Sequence, residues 1–295
     1  RALTIAAVVC LALTLAAKVQ KRKLVGPQRI HSSLLQEPLQ TETDRQPFDF
    51  SFRGETYSVR PVAAYEIWAL VVSHNDPTAF YDIYHDRNSV DTRDLGVIWG
   101  KNLRTSDYQK VKFKSVSFFL YWKYPRGTQF DAFSAANNHL ITDSDAVRRQ
   151  IARVRVNDQV HITGMLVNYA SGQNPDWWRE SSTTRMDDGP GACEVLFVDE
   201  LEILKRGRHV EYTVFGVGKW LFVALLLAKV GLFIATTGGP RQRKLLRRGA
   251  PPDEVPPGSA PPDSVPPNDP DAGQIWPGSA TPGRNEPPPA APWEG

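Results

Sequence analysis

A run of apolar residues at 215–237, FGVGKWLFVALLLAKVGLFIATT, limits the possible folds at once. As a helix it covers the ~30 Å of a bilayer's hydrocarbon, and its surface must be buried in lipid or in protein. Lys219 and Lys229 interrupt it. Lys219 can snorkel beside Trp220 at one end, whereas Lys229 lies deeper and needs a helix partner, a cavity or the nearer interface. A second run at 2–17, ALTIAAVVCLALTLAA, has no charge over sixteen residues. It spans roughly 24 Å as a helix, and a few further residues upstream complete a crossing. Its length also suits the core of a secretory signal, but Thr14-Leu15-Ala16 is a weak cleavage site. Lys18, Lys21, Arg22 and Lys23 follow directly and suit lipid headgroups. The expected organisation is an N-terminal transmembrane anchor or signal anchor at 1–17, a linker at 18–46, a globular domain at 47–204, a transmembrane helix at 214–237 and a basic segment with a tail at 238–295.

Lysines and arginines flank the two runs almost evenly on either side, so their bias alone does not orient the chain. The cluster Arg241, Arg243, Lys244, Arg247 and Arg248 abuts the second run as a cytoplasmic stop-transfer signal does. Both ends are therefore expected in the cytoplasm and the domain outside it. From Gly249 onward, PPDEVPPGSA is followed at once by PPDSVPPNDP, a near-repeat of ten residues. Proline removes backbone donors and fixes φ, and too little apolar surface remains to offset ordering entropy, so this tail is expected to be disordered. It is acidic beside the basic cluster, and it reads either as a solvated spacer or as a docking segment for a cytoplasmic protein.

Between the anchors, short runs carry strand character. The clearest are QVHITGMLVNY at 159–169, EVLFVDELEIL at 194–204 and SVSFFLYWKY at 115–124, and residues 55–73 add one or two more. Arg155-Val156-Asn157-Asp158 reads as a turn. One helix is predicted at 144–154, with Thr142 as cap, Asp145 in capping-box position and Ala146, Ile151 and Val154 as its apolar stripe. The glycine inside ITGML permits a strong bend or bulge, a pattern common in small OB-like barrels. The expected class is mainly β, a small OB-like barrel or β-sandwich with one short helix, flanked by two transmembrane helices.

YEIWALVVSHND from Tyr65, DLGVIWG from Asp94, SAANNHLI from Ser134, VNDQVHITGMLVNY from Val156 and DDGPGACEVLFV from Asp187 resemble a family of uncharacterised bacterial membrane-anchored proteins with an exported β-rich domain. The resemblance covers most of 65–198. It implies a bacterial inner-membrane location with the domain on the extracytoplasmic side, and it brings no activity, catalytic residue or cofactor. The second apolar run and the proline-rich tail lie outside it.

Chemistry-bearing residues gather in three places. His74, Asp76, Asp82, His85 and Asp86 crowd SHNDPTAFYDIYHDRNS, where His74, His85 and Asp86 are weak metal candidates because their spacing fits no standard ligand pattern. Asn137 and Asn138 read as turn residues before the helix and His139 as a hydrogen-bonded structural residue, and Asp187, Asp188, Cys193 and Glu194 precede the last strand. His139, Cys193 and Asp188 together make a weak thiol nucleophile with its base. Trp177 and Trp178, after Gly172 and Pro175, stand at a hairpin tip or long loop as a possible ligand platform. Cys10 and Cys193 lie in different settings, which argues against an intrachain disulfide. No Walker loop, dinucleotide fingerprint, nucleophile elbow or zinc signature is present, and no cofactor is expected. With 35 Lys+Arg against 32 Asp+Glu, the charge balance does not call for nucleic acid. The expected function is a membrane-tethered, non-enzymatic binding or accessory protein of the cell envelope, recognising an envelope protein or glycan. The alternative is an envelope hydrolase using a His/Asp metal site or Cys193 with His139.

Overall fold

The computed structural model describes residues 1–75, 90–116, 119–184 and 192–237. Strands dominate between two long helices, α1 (Ala2–Gln20) and α3 (His209–Thr237). In chain order they are β1 (Leu39–Thr41), β2 (Phe48–Phe52), β3 (Glu55–Asn75), β4 (Arg93–Ile98), β5 (Lys112–Val116), β6 (Phe119–Lys123), β7 (Ala135–Ile141), β8 (Gln159–Ser171), β9 (Asn174–Arg179) and β10 (Glu194–Lys205), with α2 (Asp145–Ala152) between β7 and β8. The domain is mainly β, as expected. Eight strands form one mixed sheet and β5–β6 a separate hairpin.

The pairings run β3–β4–β7–β10–β8 and return to β3, because β8 pairs with β10 and, over most of its length, with β3. The β7–β10 pair is parallel. Tyr65, Ile67, Leu95, Leu140, Val160 and Leu196, drawn from all five of these strands, share one buried cluster with Val147 and Ile151 of α2. Two further clusters lie outside it. Phe50, Tyr57, Ile141, Val195 and Phe197 form one, under β2. In the other, Leu24, Val25 and Leu34 cover Leu70, Val72, Ile98 and Tyr108.

The 21-residue β3 contributes to all three clusters, and its passage from the one under β2 to the inner one follows from a register shift between Pro61 and Ala63. Before the shift Tyr57 and Val59 face the outer cluster, and after it Ala63, Tyr65, Ile67 and Ala69 face the inner one. A proline lacks the ladder donor and is tolerated where pairing is already interrupted. Gly164 works the same way on β8. A Cβ there would stand 2.0 Å from the Phe197 carbonyl oxygen, beside a register shift in β10 between Val198 and Glu200. The β2–β3 turn places Arg53 at φ 51° and Gly54 at φ 86°, the positive pair that a two-residue hairpin requires.

Several local expectations change. The cap of α2 is Ser144, whose side chain accepts from Val147 N, while Thr142 Oγ1 donates to the Val198 carbonyl. Its buried residues are Val147 and Ile151; Ala146 is exposed. The run at 115–124 divides into strands β5 and β6, while 55–73 lies within the single strand β3, one of the two outcomes expected. Asn137 and Asn138 are β7 residues rather than turn residues, since cross-strand pairing on both sides outweighs the turn preference of asparagine.

Leu24, Val25 and Leu34 of the segment at 21–35 pack on the domain. Tyr108 OH donates to the Val25 carbonyl, and Asn157, at φ 79°, accepts from Val25 N at 2.7 Å and donates to the Lys21 and Lys23 carbonyls. This clamp fixes the exit of α1 to the turn before β8. Both α1 and α3 are long and apolar enough to cross a membrane by length and composition. They pair antiparallel, since Cys10 and Thr14 meet Gly218 while Lys21 meets Phe215 and Tyr212. Beyond Leu225, α3 is exposed through Thr237.

Candidate functional site

Asp94 and His139 face each other across β4 and β7 in direct register. Side chains at alternate strand positions share a face, so Gly96 joins Asp94, and Asn137 joins His139. Cys193, immediately before β10, lies two residues ahead of Val195, the parallel partner of His139, and so belongs to the same face. The face is the outer one, away from the cluster shared by the five strands. Over it lies the β5–β6 hairpin: a Cβ on Gly96 would be 2.6 Å from Leu120 Cδ1, and Ser115 N donates to Ser73 Oγ at 2.8 Å.

His139 Nδ1 stands 2.7 Å from Asp94 Oδ1, and both residues are fully buried. Cys193, on the same face, also acts on the imidazole and favours its charged form. Burial alone depresses the basicity of such a ring. The Asp94 carboxylate and its hydrogen bond, aided by Cys193, outweigh that burial and the repulsion of Arg179, and push the His139 pKa up to about 10. At neutral pH the ring is an imidazolium held on a buried carboxylate. Asn137 Nδ2 lies 4.0 Å from Cys193 Sγ, which places an amide donor beside the sulfur.

A second buried pair adjoins through Arg179. Tyr169 OH donates to Asp91 Oδ2 at 3.4 Å, and burial, then the Asp91 charge, hold the phenol well above its ordinary pKa. Arg179, paired in register with Tyr169, acts electrostatically on both Tyr169 and His139. Thiol, imidazolium, carboxylate, amide and guanidinium thus share one side of the sheet. Such a set can carry nucleophilic acyl transfer.

Of the residues singled out in the sequence, His139 and Cys193 come together. Asp188, their expected acid, lies outside the described residues, and Asp94 holds the imidazole instead. Asp94 was missed because 45 residues separate it from His139 and only strand pairing joins them. An aspartate directly before the apolar run LGVI within the strand RDLGVI was the available signal. Asn138 and Glu194, in register with each other, face the inner side with Leu95. His74 is also opposite Leu95 and is therefore remote in direction from His139. Asp76, Asp82, His85, Asp86 and Asp187 lie outside the described residues. Among the described residues no group of three His, Cys, Asp or Glu side chains could hold a metal ion. Trp177 and Trp178 sit on β9. Trp177 is 56% exposed, while Trp178 lies under Arg60, whose guanidinium carbon is 3.7 Å from the ring centroid. No family model, curated protein or solved structure matches the chain, so the site is read from its own geometry.

Proposed function

We propose that this chain is a membrane-tethered protein of the bacterial cell envelope whose OB-type domain carries a thiol-dependent acyl-transfer or hydrolytic site built from Cys193, His139 and Asp94. The buried Asp94–His139 pair, with Cys193 on the same face and acting on the imidazole, carries this reading. Asp94 fixes Nδ1 and leaves Nε2 for the thiol. The sulfur attacks an ester, thioester or amide carbonyl as the thiolate, and the His139 imidazolium gives its proton to the leaving group. Water then attacks the thioester and gives a proton back to His139, and the sulfur departs as thiolate, which restores the starting pair. Asn137 is placed to donate to charge developing beside the sulfur, and Arg179 favours an acyl group that carries a carboxylate.

The strand ring with a helix between its third and fourth members, β7 and β8, supports an OB-type barrel. In that fold ligands bind on the face of the second and third strands, between the connections that follow the first and fourth. Here that face is β4–β7, the face of Asp94 and His139. The antiparallel α1–α3 pair suits a tether that leaves and re-enters one membrane face, with the domain outside the cytoplasm and the tail inside.

The test is alkylation of Cys193 by iodoacetamide in a Cys10→Ala background. At pH 7 the His139→Gln variant should react about tenfold more slowly or less. Equal rates would remove the thiol reading. Compartment reporters fused after Lys205 and after Arg248 should give opposite signals, and like signals would overturn the tether. A second reading, non-enzymatic binding of an envelope protein or glycan, is favoured by exposed Trp177 beside the Arg60–Trp178 stack. Loss of binding in Trp177→Ala with thiol reactivity unchanged would select it.

A further inference from the structure

Two cavities meet where α1 leaves the domain and α3 begins. One, of about 430 Å³, is walled by Arg153, Arg155, Arg206, His209 and Asp158. The other, of about 930 Å³, lies between α1 and α3 against Ile5, Val9, Leu13, Val217 and Leu221. Thr213 lines both, so the basic pocket stands at the head of the apolar groove.

Charge in the pocket is unbalanced. Asp158 is its acid, and it is already taken by Arg206 Nη1 at 2.7 Å and by the backbone N–H groups of Arg155 and Gly207. Among the described residues Arg153 and Arg155 have no carboxylate within ion-pair distance. Arg155 and Lys21 both lie against the Tyr212 ring, at 5.0 and 5.1 Å from its centroid. Burial first, then the charges of Arg22 and Arg155, lower the Lys21 pKa, as expected where cations crowd without a counterion. Guanidinium groups bind phosphate oxygens in a planar, two-pronged geometry, and apolar helix grooves accept acyl chains.

We propose that this junction binds one anionic phospholipid, with its phosphate between Arg153 and Arg155 and a chain in the α1–α3 groove. The inference rests on the reading that α1 and α3 lie in a membrane and is independent of the thiol site. It explains why an uncompensated basic pocket opens directly onto an apolar groove, which neither a free anion nor a second helix alone would require.

The full chain, purified in non-ionic detergent, is incubated with equal amounts of dioleoyl phosphatidylglycerol and dioleoyl phosphatidylcholine and weighed by native mass spectrometry. One phosphatidylglycerol should be retained in about tenfold preference, corresponding to ~1.4 kcal/mol. Arg153→Gln with Arg155→Gln should abolish the preference, while Arg153→Lys with Arg155→Lys should keep most of it at an unchanged melting temperature. Equal retention of the two lipids, or displacement of phosphatidylglycerol by millimolar inorganic phosphate, overturns the lipid site. So does a lipid-free dimer with the groove protected by a second copy. Carbonate extraction of cell membranes separates the premises: release of the chain refutes the tether, whereas retention without lipid preference refutes this inference alone.

Discussion

Replacing Asp94 by asparagine isolates the charge of the central pair, because the side chain keeps its shape. In the folded protein His139 titrates near 10 instead of its ordinary 6.5. At 1.36 kcal/mol for each pKa unit, that difference sets a ceiling of roughly 5 kcal/mol. Breaking a buried pair ordinarily costs about 3–5 kcal/mol. An imidazole that loses its partner can shed its proton, so the low end, about 3 kcal/mol, is expected. For a domain of this size that lowers Tm by roughly 6–12 °C. The sign follows from the raised pKa: the pair's stabilisation is complete below pH 6.5 and is lost as pH rises through about 10. Thermal unfolding of the full chain in detergent, followed by tryptophan fluorescence at pH 6, 8 and 10, should show a gap between wild type and Asp94→Asn that is widest at pH 6 and closes toward pH 10. A gap of the same size at all three values would refute the assignment of an imidazolium to His139.

Three further substitutions test the scaffold. Gly164→Val forces a Cβ into the Phe197 carbonyl and should cost about 3 kcal/mol, read as a drop in Tm or as loss of soluble expression. Asn157→Ala removes three hydrogen bonds and places alanine at positive φ, so it should cost about 2–4 kcal/mol and speed proteolytic nicking near Lys21 and Lys23, with Asn157→Gly cut more slowly than the alanine variant. At Gly218 a Cβ would meet Thr14 Oγ1 at 2.3 Å; Gly218→Leu should therefore weaken the α1–α3 pair by about 1–3 kcal/mol, seen as a lower yield of disulfide between Cys10 and a cysteine at Leu221.

Features that depend on local pattern were legible in the residue order alone. The two apolar runs became α1 and α3, and the alternation at 159–169 and 194–204 became β8 and β10. The turn at Arg155–Asp158 and the glycine within ITGML were readable because chain reversal and close backbone approach restrict residue type wherever they occur. Which of these pieces meet depends on packing between segments far apart in the chain. Turn-forming Asn137 and Asn138 are strand residues because β4 and β10 satisfy their backbone on both sides. Leu24, Val25 and Leu34 were indistinguishable from linker until Tyr108 and Asn157 supplied the surface and hydrogen bonds that hold them. Sequence could pair Cys193 with His139 by chemical type, but it offered Asp188, its near neighbour in the chain, as the acid. Choosing Asp94 required the β4–β7 register, since the field that keeps His139 charged depends on separation in space and low dielectric, and neither is encoded in distance along the chain.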